Sequence, residues 1–332
     1  MTTVVSRIAL LMAVVAAVAV AAPAVADDSP IDASRQATRT LRFEGVVRVE
    51  WVDGGRRHVE RVKVRSWNGT MAVEGGTDLA ASDRARFVYH RGLGWAMVWP
   101  AELASDDRPS PEAKYRVVAM GPGPMVAGRS TNLVDVRRGS VRCELVYTDA
   151  TTGLVLRREQ YDSTGELRRT VTFETLDTNT TTPVSLPARA ADRSPDTVPG
   201  MSPSAPYRAP AALGSGYELI GAYRQSGTVH LLYSDGIYDL SVFEQRGRLD
   251  REDLPAGRRH VTLASRDAWQ VSWPGGEVVV WQAGGAVFTA VGEAPIDDVL
   301  AAATTMPSAG QPSLVEKLRR MCGSLLDLFS PA

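Results

Sequence analysis

The sequence predicts a mainly β (α+β) protein built as two units, and three observations carry that prediction. Apolar and polar residues alternate over short stretches, the period of half-buried strands. Between those stretches lie turn clusters, drawn from 20 prolines and 29 glycines in 332 residues. A Pro-rich segment then divides the strand-rich sequence in two. The length accommodates two ordinary domains and a linker.

Each element can be justified in order. In Leu41 to Val52, the residues Leu41, Phe43, Val47, Val49 and Trp51 share one face with Gly45, and Arg42, Glu44, Arg48 and Glu50 take the other. Asp53-Gly54-Gly55 turns the chain into a second strand, His58 to Arg65. Phe87 to Tyr89 and Trp95 to Trp99 flank Arg91 to Gly94 as a hairpin that stops at Pro100. Gly121-Pro122-Gly123-Pro124 reads as a turn, because proline lacks the N–H groups that a phosphate cradle needs. A meander runs from Val141 to Phe173, turning at Asp149 to Gly153 and at Asp162 to Gly165. Its polar face carries Arg157, Glu159, Arg168 and Glu174, placed for cross-strand ion pairs of about 0.2–1 kcal/mol each, so apolar burial should dominate its stability.

Residues 178–216 hold seven prolines among Ser, Thr, Ala and Gly. Such a segment buries too little apolar surface to fold alone and reads as a linker. Beyond it, Val229 to Tyr233 and Ile237 to Phe243 form a hairpin around Ser234-Asp235-Gly236. Val261 to Leu263, Trp269 to Trp273, Glu277 to Trp281 and Ala286 to Val291 supply further strands. Pro295 to Ala303 is a short helix, with proline and acidic residues in its first turn. In the tail, Leu314, Leu318, Met321, Leu325 and Phe329 recur at helical spacing. Three readings of that helix stay open: packing on its own domain, docking to a partner, or lying on a membrane surface as a peripheral contact.

The first 26 residues are an address. Arg7 precedes an apolar run from Ile8 to Ala22, and Ala24-Val25-Ala26 is a small-x-small cleavage site. About 15 apolar residues fall short of the ~20 that span a bilayer, which favours a cleaved secretory signal over an uncleaved anchor. Export places the chain in a periplasmic or extracytoplasmic, oxidising space. Only Cys143 and Cys322 are present. They either bridge, or Cys143 is a buried thiol with Cys322 free or paired to a partner.

The search for chemistry is negative. A net charge of -1 points to neither nucleic acid nor a polybasic membrane contact. The four histidines, His58, His90, His230 and His260, have no metal-ligand spacing, and no nucleophile elbow, P-loop or zinc-protease motif occurs. No cofactor is expected, and no catalytic or metal-binding residue is assigned. Asp235 reads most simply as a turn residue and Asp297-Asp298 as helix N-terminal acids. Of the seven tryptophans, Trp51, Trp95 and Trp99 lie on apolar strand faces of the first unit. Core packing is the default for each. The functional alternative is a concave apolar face that receives an amphiphile, with Phe43, Val47, Val49, Trp51, Trp95 and Trp99 as its lining.

Four elements also carry a family resemblance. Ser234-Asp235-Gly236-Ile237-Tyr238-Asp239-Leu240-Ser241-Val242-Phe243 resembles the S-D-G-L-x-x-x-S-V-F signature of the MucB/RseB family of sigma-E regulatory proteins, with Ile237 at the usual leucine. Val291-Gly292-Glu293-Ala294-Pro295 resembles its V-G-E-x-P segment, Val126-Ala127-Gly128-Arg129 its V-A-G-R element, and Asp149 to Leu156 its T-G-L-x-L hairpin. The resemblance spans most of residues 41–305. It implies a LolA-like half-open antiparallel β-barrel followed by a smaller β-sheet domain with a short helix. It also implies a regulator that binds the extracytoplasmic segment of a membrane anti-sigma factor and is released by a lipid-like amphiphile. The alternative is a periplasmic lipid or lipoprotein carrier of the LolA-like type.

The expected organisation is therefore a signal peptide (1–26), an N-terminal extension (27–40), a LolA-like domain (41–177), a linker (178–216), a C-terminal domain (217–306) and an amphipathic tail (307–332). Expected partner-binding residues are Tyr233, Asp235, Leu318, Met321 and Leu325.

Overall fold

The computed structural model describes residues 30–67, 70–74, 78–81, 86–90, 94–99, 108–181, 183, 196–197, 209–225, 228–252, 254 and 257–307. The apolar leader, Trp95 and Trp99 as side chains, Cys322, and Leu318, Met321 and Leu325 of the tail lie outside the described residues. The architecture is two antiparallel sheets with short helices, and the first sheet does not close into a barrel.

The first sheet has eleven strands. They are β1 (Phe43–Asp53), β2 (Arg56–Trp67), β3 (Thr70–Glu74), β4 (Asp78–Ala81), β5 (Arg86–His90), β6 (Gly94–Trp99), β7 (Arg116–Val126), β8 (Arg129–Arg138), β9 (Val141–Asp149), β10 (Val155–Tyr161) and β11 (Leu167–Asp177). Their spatial order is β6-β5-β4-β3-β2-β1-β11-β10-β9-β8-β7, two meanders joined by the β1–β11 pair. The alternation read from sequence is visible in β1: Phe43, Gly45, Val47 and Val49 are buried, and Glu44, Val46 and Arg48 between them are half-buried. They pack with Val62, Val64, Leu154, Leu156 and Phe173. Full burial of one such side chain contributes about 1.5–3 kcal/mol, more than an exposed ion pair. At Gly45 the backbone of β11 passes so close that a Cβ would lie 2.2 Å from the Thr175 carbonyl oxygen, so the strand requires glycine there.

One expectation for this unit is corrected, and one element is added to it. The supposed extension contains a helix, α1 (Pro30–Thr40), whose buried positions Ser34, Ala37 and Thr38 follow helical spacing. Ser34 Oγ donates to the Pro30 carbonyl (2.8 Å) and Thr38 Oγ1 to that of Ser34 (3.0 Å), so the hydroxyls that mask the apolar pattern are satisfied by the helix itself. The Gly121–Pro124 segment is not a turn but part of β7, the edge strand, where proline does not disrupt a second ladder.

The second sheet comprises β12 (Asp196–Thr197), β13 (Ala212–Leu213), β14 (Tyr217–Gln225), β15 (Thr228–Ser234), β16 (Asp239–Arg246), β17 (Arg259–Leu263), β18 (Arg266–Trp273), β19 (Gly276–Ala283) and β20 (Ala286–Gly292). β14 is additional to the strands read from sequence. Two short pieces of the Pro-rich segment, β12 and β13, pair with β14 rather than running free. Helix α2 (Ile296–Thr305) buries Val299, Ala302 and Ala303 against this sheet. Cys143 is a buried free thiol. Among the described residues no helix is long and apolar enough to cross a membrane.

Candidate functional site

The two units meet across a seam that is buried, charged and largely one-signed on each side. Its apolar part joins Tyr115, Val136 and Cys143 of the first unit to Tyr217, Leu231, Tyr238 and Leu240 of the second in one continuous core. The Tyr115 and Tyr238 rings meet edge to face at 6.1 Å, and the Tyr238 hydroxyl donates to the Cys143 carbonyl (3.4 Å).

At one end of the seam is the Ser-Asp-Gly turn. Asp235 Oδ1 accepts the N–H groups of Ile237 (3.1 Å) and Tyr238 (2.8 Å), the turn role its residue type predicts. Its other oxygen faces the first unit and accepts from Lys114 Nζ and from the Tyr115 hydroxyl (2.7 Å). Burial first, and then the Asp235 charge, pushes the Tyr115 phenol far above its ordinary range, so it stays a donor. Gly236 sits at φ +89°, and a Cβ there would lie 2.6 Å from the Pro109 carbonyl oxygen. Its carbonyl accepts from Arg35 Nη2 (2.6 Å), so α1 also closes on this turn. Beside it, Arg108 Nη2 pairs with Asp239 Oδ2 (2.7 Å). Asp298, on the first turn of α2, receives Arg138 Nη1 at 2.6 and 2.9 Å and lies 3.7 Å from Lys114 Nζ.

Further along, Glu293 takes Arg158 Nη1 (2.6 Å) and lies 3.6 Å from Arg169 Nη1, and its backbone carbonyl accepts from Gln160 Nε2 (3.2 Å). Glu144 holds the other Nη of Arg158 (3.1 Å). Arg169 also donates to Gln160 Oε1 (3.2 Å) and to the Pro274 carbonyl. Arg158 is 9% exposed, Arg169 6% and Glu293 5%. Burial, opposed by the Glu293 charge, lowers the pKa of Arg169.

The division of charge is systematic. The first unit contributes Arg35, Arg108, Lys114, Arg138, Arg158 and Arg169, and the second answers with Asp235, Asp239, Glu293 and Asp298. A described exception is Arg259 of β17, which reaches Asp53 at the β1–β2 turn (3.3 Å). Buried ion pairs add little net stability compared with well-packed apolar residues, but stranding one partner is expensive. Such a seam fixes register and orientation: sliding it by one residue leaves several buried charges unpaired. Among the described residues no group of His, Cys, Asp and Glu is arranged to hold a metal ion.

The expected site residues fall as follows. Phe43, Val47 and Val49 do not line an accessible hollow; they are 1%, 6% and 2% exposed, closed off by the protein's own packing. Trp51 is half-buried and stacks on His58 at 5.2 Å. Tyr233 is buried as well: it is 0% exposed, and its hydroxyl donates to the Pro210 carbonyl (3.1 Å). Asp235, 2% exposed, binds the chain's own first unit through Tyr115. Sequence reasoning missed Arg108, Lys114, Arg138, Arg158 and Arg169. One signal existed: Arg158 stands opposite Val146 and Val171, a charge at a lateral position where neighbouring strands are apolar.

Fold and site together define an antiparallel β protein of two sheets, joined by a buried ion network between them. No protein-family model and no curated protein matches the chain. Its structural neighbours include MucB, with a TM-score of 0.47 and 18% identity over 83% of this chain and 95% of that one. They also include MucB in complex with MucA(peri), with a TM-score of 0.44 and 19% identity over 84% and 96% of the two chains. The MucA/MucB complex of Pseudomonas aeruginosa is similar at a TM-score of 0.43 and 19% identity, over 84% and 96%.

Proposed function

We propose that this chain is an exported regulator of the MucB/RseB type that binds the extracytoplasmic segment of a membrane anti-sigma factor. The observation that carries the reading is where the sequence signature falls. The S-D-G element supplies Asp235 and Asp239 to the seam, and the V-G-E-A-P element supplies Glu293. Two of the four elements that resemble the family thus help fix how the two units are held, and a composite surface across both depends on that arrangement. One structural neighbour is described as MucB in complex with MucA(peri), which is a partner of the proposed kind. The apolar leader with its small-x-small site supports export.

The amphiphile-sensing half of the expectation has less behind it. Three of its six residues are packed shut, so the proposal rests on partner binding. Leu318, Met321 and Leu325 stay as proposed contact residues of the tail.

The test is binding of the purified mature chain to extracytoplasmic segments of membrane anti-sigma factors from the same organism. Saturable binding to one segment is expected, weakened at least about tenfold by Glu293→Gln. Failure of every segment to bind a folded chain would overturn the proposal. Stoichiometric lipid carried through purification and transferred between membranes would favour a carrier in its place.

A further inference from the structure

The seam contains one carboxyl group held without a cation of its own. Glu277, at the start of β19, accepts from Ser272 Oγ (2.8 and 3.0 Å) and from Gln270 Nε2 (3.0 Å), all neutral donors. Among the described residues no Lys, Arg or His lies within salt-bridge distance of it. The charged groups that face it come from three elements. Arg259 of β17 reaches Ser272 Oγ (3.5 Å) from Nη2, and the same nitrogen is 3.3 Å from Asp53 at the tip of β1. Arg169 of β11 is the third, already engaged by Glu293, Gln160 and the Pro274 carbonyl. Glu277, Ser272, Arg259 and Asp53 therefore form a polar chain that ends on the other domain.

We propose that Glu277 is a proton-sensitive element of the interdomain joint, its neutral form favouring the closed seam and its ionised form favouring release of the β1–β2 hairpin. In the closed arrangement the Glu277 side chain is partly buried, and Asp53 adds a second negative charge nearby. Both disfavour ionisation. Ionised Glu277 also competes with Asp53 for Arg259. Opening the hairpin end readmits water and removes Asp53, so the open arrangement prefers the carboxylate. The pKa of Glu277 is pushed up to about 7 by burial, with Asp53 adding to the rise and Gln270, Ser272 and Arg259 opposing it. Closing thus takes up a proton, and the seam should loosen as pH rises through neutrality. That range is one an exported protein meets.

Hydrogen exchange on the full mature chain tests this, with rates in peptides covering residues 50–58 and 257–263 corrected for the intrinsic effect of pH. Protection of both segments should fall on the order of tenfold between pH 5.5 and 8.5, since one pKa unit corresponds to a tenfold change in a linked equilibrium. Glu277→Gln, nearly isosteric and always neutral, should hold the pH 5.5 protection at both values. Asp53→Asn should give low protection of the hairpin at both. Equal corrected protection of the wild type at the two pH values would overturn the proposal, as would a Glu277→Gln protein that keeps the wild-type pH response.

Discussion

Replacing Glu293 with alanine should cost the protein far more than the loss of a surface carboxylate. The change removes the acceptor of Arg158 Nη1 at 2.6 Å and the counter-charge 3.6 Å from Arg169 Nη1. Both arginines are buried, so neither can recover water without opening the seam. Breaking a buried pair in this way typically costs about 3–5 kcal/mol. Arg158 keeps Glu144 and Arg169 keeps two neutral acceptors, which places the expected loss near the lower end, about 3 kcal/mol. For a chain of 332 residues that corresponds to a fall of roughly 4–5 °C in Tm. The assay is thermal and urea unfolding of the mature chain, followed by far-UV circular dichroism and tryptophan fluorescence. Because Glu293 joins two units, the two probes should also separate in the variant where they coincide in the wild type. The comparison is Glu174→Ala. It breaks a pair with Arg61 that is equally well formed, at 2.8 and 3.1 Å, but open to solvent, and it should leave the midpoint nearly unchanged. If Glu293→Ala shifts the midpoint no more than Glu174→Ala does, the seam is not what holds the domains together.

Three further outcomes follow from single positions. Gly236→Ala should lose more than about 2 kcal/mol in urea unfolding, because a left-handed backbone and a contact at 2.6 Å with the Pro109 carbonyl oxygen act together. His230 is buried against Phe243, and burial pushes its pKa down to about 3. Its neutral form supports the fold above the ordinary histidine range, and that support drains away as pH falls from about 6.5 toward 3, by up to about 5 kcal/mol. A His230→Leu protein should lack this limb of the stability–pH curve. Asp149 is opposed by burial, yet its bonds from Arg129 and from the N–H groups of Thr152 and Thr151 hold it below the usual carboxylate range. It stabilises the fold above that range, and the contribution disappears as pH falls through its lowered pKa; Asp149→Ala should flatten the acid end of the unfolding curve.

What the sequence determined by itself was local. The alternation of Phe43, Val47 and Val49 marked β1, and the turns at Asp149 to Gly153 and Asp162 to Gly165 marked the meander, because strand period and turn chemistry act between near neighbours. Helix α1 escaped notice because its Ser and Thr hydroxyls hide a buried face behind polar residue types. The seam escaped notice for a deeper reason. Arg158 and Glu293 are 135 residues apart, and Arg35 and Gly236 are 201 apart. An arginine on a strand has the same local pattern whether its outward neighbour is water or another domain. Only the docking of the two sheets decided which charges were buried. It gave Asp235, a turn residue by its type, a second role as a joint between the units.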